Sequence, residues 1–186
     1  KGLLHGDILL NLDSEEEGEL YVGCAGGLDA NMTFGYKAEP TPAGGYTAAK
    51  ISVKGLKGGH SGIQIVCQRA NANKVLFRFL NAASASRDLV LCSVDGGGLR
   101  NAIPREAFAT VAVMKKHEKA FQNAVKKFEK IYIDEYKGIE DGISFKAVPV
   151  KTPSKAINFF DQANLVDAVF GCPNGVMRMS TSMPGL

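Results

Sequence analysis

No apolar run in the 186-residue chain approaches the roughly 20 residues that a helix needs to cross a bilayer, so a membrane-spanning helix is excluded. The opening Lys1-Gly-Leu-Leu-His-Gly-Asp7 lacks the charged start and apolar stretch of a secretory signal, and there is no initiator Met. The expectation is a chain that starts inside a longer, cytoplasmic protein. Charge of one sign is also lacking. The net charge of +3 is too small to argue for nucleic acid, and neither a nucleic-acid nor a membrane partner is expected. The lysines between Lys115 and Lys130 alternate with Phe121, Val125 and Phe128 at helical spacing, the pattern of a solvated helix face. No Cys-x-x-Cys occurs. Cys24, Cys67, Cys92 and Cys172 are far apart among apolar neighbours, which favours buried free thiols over disulfides or a zinc cluster. Phosphate-binding loops are missing too, because Gly96-Gly-Gly98 falls between two predicted strands and not before a helix.

The composition, 45% hydrophobic and 22% charged, is that of a soluble globular protein with one sizeable core. Asp7–Leu12 is a short apolar run suited to a strand buried on both faces, as in a parallel α/β sheet. Gly23-Cys-Ala-Gly-Gly27 reads as a hinge, so a domain boundary is placed after residue 27. Beyond it, strands are predicted over 33–39, 46–54, 89–94, 108–114 and 144–150. Helices are predicted from Ile63 to about Ala83, from His117 to about Tyr136, and from Ser154 to about Phe170, the last opened by Pro153-Ser154. The expected fold class is α+β, an antiparallel sheet with helices packed on one face, preceded by a short remnant of an α/β domain.

Few residues stand out as chemical. Asp13 follows the apolar strand, where a carboxylate can bind a metal; it can equally cap an acidic first turn formed by Glu15, Glu16 and Glu17. His60 sits in Gly58-Gly-His-Ser-Gly62, where the backbone can lie close to a ligand and the imidazole can serve an oxyanion. A turn histidine bound only to solvent fits the same pattern. His5 and His117 have no such frame. Asn101, in Gly96-Gly-Gly-Leu-Arg-Asn-Ala-Ile-Pro-Arg105, suits either peptide recognition or turn formation. Arg100 and Arg105 can bind a carboxylate through two nitrogens or serve as surface pairs, and Arg178 is similar.

Four segments carry a family resemblance. They are Gly6-Asp-Ile-Leu-Leu-Asn-Leu-Asp-Ser-Glu-Glu16 with its continuation to Gly27, Val53-Lys-Gly-Leu-Lys-Gly-Gly-His-Ser-Gly62, Gly97-Gly-Leu-Arg-Asn-Ala-Ile-Pro-Arg-Glu106, and Pro173-Asn-Gly-Val-Met-Arg-Met-Ser180. Together they resemble the aminoacyl-histidine (Xaa-His) dipeptidases, a branch of the M20 metallopeptidases. The resemblance implies a catalytic α/β domain that binds two zinc ions, with a lid domain inserted into it. It implies that Asp13 ligates one zinc. His60, in the lid, would reach a substrate oxygen in the active site of a partner subunit, and Asn101 would help to hold the dipeptide. Residues 1–27 would then end the first catalytic segment and 28–186 would form a lid that closes over substrate and mediates homodimerisation. The remaining zinc ligands and the Glu general base are expected outside these residues. One carboxylate holds zinc weakly, so the chain alone is expected to be inactive.

Overall fold

The computed structural model describes residues 5–8, 10, 17–21, 26–42, 44–84 and 89–182. The chain divides into two compact units, residues 1–33 and 34–186. Asp13 and half of the strand expected before it lie outside the described residues, and the first unit has no helix or strand among those described.

The second unit is built on a four-stranded sheet. Its strands are β2 (Tyr46–Lys54), β4 (Leu89–Gly96), β6 (Ala107–Met114) and β7 (Ser144–Val150), in the spatial order β4-β6-β2-β7. All neighbours are antiparallel. Helix α1 (Ala72–Ser84) connects β2 to β4, and α2 (Glu118–Glu135) connects β6 to β7. Each helix thus joins two strands that have a third between them, which makes a doubled split β-α-β arrangement of ferredoxin-like type. This is the α+β antiparallel sheet expected from the sequence.

The alternation in the strands sets the core. Ala49, Ile51 and Val53 of β2 point inward, while Lys50 and Lys54 point to solvent. On β6, Ala107, Ala109, Val111 and Val113 face the same way. Both helices cover that face: α1 packs on β2, β4 and β6, and α2 on β6 and β7. Phe79 of α1 is fully buried where they meet. Its ring lies edge-on to Phe121 and Phe128 of α2 at 6.1 and 5.3 Å, and tilted against Phe145 of β7 at 5.1 Å. Such pairs add roughly 0.5–1.5 kcal/mol each beyond the area they bury. On the outer face the ammonium groups of Lys50 and Lys54 lie over the Phe108 ring at 4.7 and 5.4 Å.

Two small ribbons flank the sheet. β1 (Ala38–Pro40) pairs antiparallel with β8 (Lys155–Ile157), and β3 (Gly59–His60) with β5 (Ala102–Ile103). Helix α3 (Phe159–Gly171) lies against α1 and β4. From it, buried Gln162 accepts the N–H of Leu91 at 2.7 Å and donates to the carbonyl of Leu89 at 3.0 Å. One side chain thereby occupies the outer hydrogen-bonding edge of β4.

Three expected elements differ. The first helix begins at Ala72, not Ile63: Gln68 takes a left-handed φ of 52°, and the Asn71 side chain caps the new start by accepting the N–H groups of Asn73 and Lys74. Ile63, Val66 and Cys67, expected on the apolar stripe, are therefore exposed. Cys172 is exposed as well, so the expectation of uniformly buried thiols fails for these two. The segment after Pro153-Ser154 is strand β8, and α3 starts later, where the Asn158 side chain accepts from the N–H groups of Phe160 and Asp161. The strand expected over 33–39 is reduced to Ala38–Pro40, whose partner lies more than a hundred residues away.

Tyr132 of α2 is buried and donates to the Val75 carbonyl at 2.8 Å. Burial pushes its phenol far above the usual tyrosine range, and burial raises Tyr136 in the same direction. A phenol whose folded pKa exceeds its unfolded one stabilises fully below the unfolded pKa, and that contribution is lost as pH rises above about 10. In an alkaline titration of phenolate absorbance, two of the five tyrosines should lag the rest, and Tyr132→Phe should remove the slower. Five coincident transitions would contradict this burial.

Candidate active-site surface

The β3–β5 ribbon brings the two sequence-predicted lid residues together. His60 faces Ala102 across the ribbon, and the next N–H, from Ser61, donates to the carbonyl of Asn101 at 2.9 Å. His60, Asn101, Arg105, Lys57, Asp95 and Phe108 all line one open cavity of about 850 Å³. The Gly96–Gly98 connection borders the same cavity and has no helix behind it.

The turn after β3 determines what His60 can do. The ring Nδ1 accepts the N–H of Gly62 at 3.0 Å and that of Ile63 at 3.3 Å. A nitrogen that accepts carries no proton, so the neutral ring is held as the Nε2–H tautomer. The Gln64 side chain accepts the backbone N–H of His60 at 2.8 Å, and the Gln64 N–H returns to the His60 carbonyl at 3.1 Å. The outcome is an exposed imidazole whose Nε2–H is its remaining donor, suited to an anionic or carbonyl oxygen.

The turn is closed from below by arginines. Arg69 donates to the carbonyl of Gly58, and Arg105 Nε donates to that of Leu56 at 3.2 Å. Arg105, read from sequence as a carboxylate ligand or a surface pair, is thus engaged with the backbone under the turn. Gly59 takes φ +144°, and a Cβ there would lie 2.5 Å from Gln64 Oε1 and 2.6 Å from an Arg69 nitrogen. Only glycine fits without moving both side chains. His5, His117 and Arg178 do not line this cavity. Gln64 and Arg69 were not singled out by sequence, although Gln64, four residues after His60, is at a spacing that closes a turn.

Among the described residues no group of three or more His, Cys, Asp or Glu could hold a metal ion. The Nδ1 of His60 is already occupied by two N–H groups. The described residues therefore do not fit a zinc ion, and Asp13 falls outside them.

The family described as "Peptidase dimerisation domain" (M20) matches residues 51–140, from the middle of β2 through α2 to the turn that follows it. Residues 51–140 of this chain carry the M20 peptidase dimerisation domain. The chain is 40% identical over 183 residues, 98% of its length, to the cytosol non-specific dipeptidase of Escherichia coli (strain K12). Its fold matches the crystal structure of aminoacylhistidine dipeptidase from Vibrio alginolyticus with a TM-score of 0.77 and 38% identity, over 81% of this chain. The chain spans 38% of the first protein's length and 31% of the second's. In this M20 domain Gly59 and His60 line the cavity together with Phe108, while α1 packs on β2, β4 and β6 and α2 on β6 and β7.

The fit at Gly59 predicts a stability cost. Gly59→Ala should destabilise the domain by about 2 kcal/mol in urea unfolding, as expected for a side chain forced into a strained backbone conformation. Gly98→Ala, where a Cβ meets nothing within 4 Å, should be near neutral. Equal effects of the two would contradict the packing described.

Proposed function

We propose that this chain is the lid of a dipeptidase that cleaves Xaa-His dipeptides. Residues 1–27 would be the end of a catalytic segment, and residues 28–186 the lid and dimerisation domain. The observation that carries the proposal is the fixed tautomer of His60 beside Asn101 on the wall of one cavity. The similarity to two dipeptidases supports the reaction class, and the aminoacylhistidine dipeptidase supports the His-containing substrate.

In this reading His60 Nε2–H donates to the oxygen of the scissile amide as negative charge builds there. A pre-oriented donor gives most when the oxygen is most charged, so its contribution appears in the transition state and little in ground-state binding. Asn101 holds the peptide through its amide. Hydrolysis itself would use zinc, with Asp13 among the ligands and the other ligands and the Glu base in residues outside this chain. The cytosolic dipeptidase relative supports a cytoplasmic location.

The homodimer implied by the resemblance has support in the matched family's description and in the sheet. Among the described residues β7 pairs on one side only, with β2, and Lys146, Val148 and Pro149 are exposed along it. In a dimer His60 would serve the partner's catalytic centre.

In the full-length enzyme His60→Ala should lower kcat by roughly 10²–10³-fold and leave KM within a few-fold, the signature of a lost transition-state donor. An unchanged kcat would remove His60 from the chemistry. The 186-residue chain alone should show no zinc-dependent turnover of any Xaa-His dipeptide.

A further inference from the structure

Among the described residues Glu140 is one of two buried polar or charged side chains, and it is only 1% exposed. It lies in the turn after α2, where its N–H donates to the Tyr136 carbonyl at 2.8 Å and its carbonyl accepts from Ile143 at 3.1 Å. Both carboxylate oxygens are engaged by distant main chain. Oε2 accepts the N–H of Lys57 at 2.7 Å, and Oε1 accepts the N–H of Ala70 at 3.0 Å. Those two residues bracket residues 58–69, the segment that contains Gly59, His60, Gly62, Gln64 and Arg69.

The Glu140 turn itself sits against the base of this segment. A Cβ on Gly55 would come within 1.9 Å of the Gly142 carbonyl oxygen, so the two backbones are in direct contact. The turn is continuous with α2, which the rings of Phe128 and Tyr132 join to the core. A path of hard contacts therefore runs from the aromatic core through Glu140 to both ends of the His60 loop.

We propose that Glu140 is a positioning residue for His60: its carboxylate ties the two ends of the 58–69 loop to the core and so fixes where Nε2–H points. The residue type is specific to this task. A carboxylate offers two acceptors and no donor, whereas glutamine in the same place would turn an NH2 group toward one of the two N–H donors. An aspartate is one methylene too short to span both. Displacements near 1 Å at such a support can cost about 10²-fold in rate when the supported group acts on the reacting atoms.

The catalytic part of this inference rests on the role proposed above for His60, so the test has two arms. In the 186-residue chain, Glu140→Gln should move the His60 Nδ1 nitrogen shift and the Gly62 amide shift toward their unfolded-chain values, while the amides of β6 stay in place. Unmoved Nδ1 and Gly62 signals would overturn the proposal. If the variant does not fold, amide exchange of the native chain decides: Lys57 and Ala70 should exchange slowly and at a common opening rate, and free exchange of either overturns it. In the full-length enzyme the same variant should lower kcat at least tenfold with KM within about threefold. Shifted His60 signals with unchanged kcat would leave the clamp standing and refute the catalytic role of His60.

Discussion

The packing of Phe79 against Phe121, Phe128 and Phe145 joins α1, α2 and β7, and the rest of the unit is positioned by it. The sheet supplies small residues, Ala107 and Ala109, beneath the helices, and the aromatic rings occupy the space between the layers. Close-packed interiors of this kind transmit displacement and do not absorb it. The β3–β5 ribbon has only two residues in each strand and could not hold a shape alone. It inherits its geometry from β2, β6 and the end of α2.

That inheritance explains why a glycine-rich turn can present a well-defined side chain. Gly59 permits the backbone path, but permission is not rigidity. Rigidity comes from groups that close on the turn: Gln64 on the His60 amide, Arg69 on the Gly58 carbonyl, Arg105 on the Leu56 carbonyl and Glu140 on both loop ends. The imidazole is thereby held in one tautomer on an exposed surface, with its Nε2–H open to an oxygen acceptor.

Much of the sheet was legible in the sequence because its period is local. The alternation in Ala49, Ile51 and Val53 marked β2, and the stripe of Phe121, Val125 and Phe128 marked α2. The start of α1 was not legible, because Ile63, Val66 and Cys67 continue the helical period while the constraints that end the helix at Ala72 lie elsewhere. One is the Pro104 carbonyl, which takes the Ala72 N–H, and another is Glu140, which takes that of Ala70. β8 was misread as a helix start for the same reason, since its pairing with β1 is remote in sequence. At the site, the glycine frame pointed to His60 and the polar loop to Asn101. The tautomer, the arginine supports and the carboxylate clamp arise from tertiary contacts that no local pattern encodes.

His60 is presented as a fixed Nε2–H donor. Long-range proton–nitrogen NMR of the imidazole, recorded near pH 8.5 where an ordinary histidine is neutral, reads the tautomer directly. The His60 Nδ1 signal should lie at the unprotonated, hydrogen-bonded position and Nε2 should be fully protonated, both displaced from the averaged shifts of the urea-unfolded chain. His60 shifts that coincide with the unfolded average would contradict it.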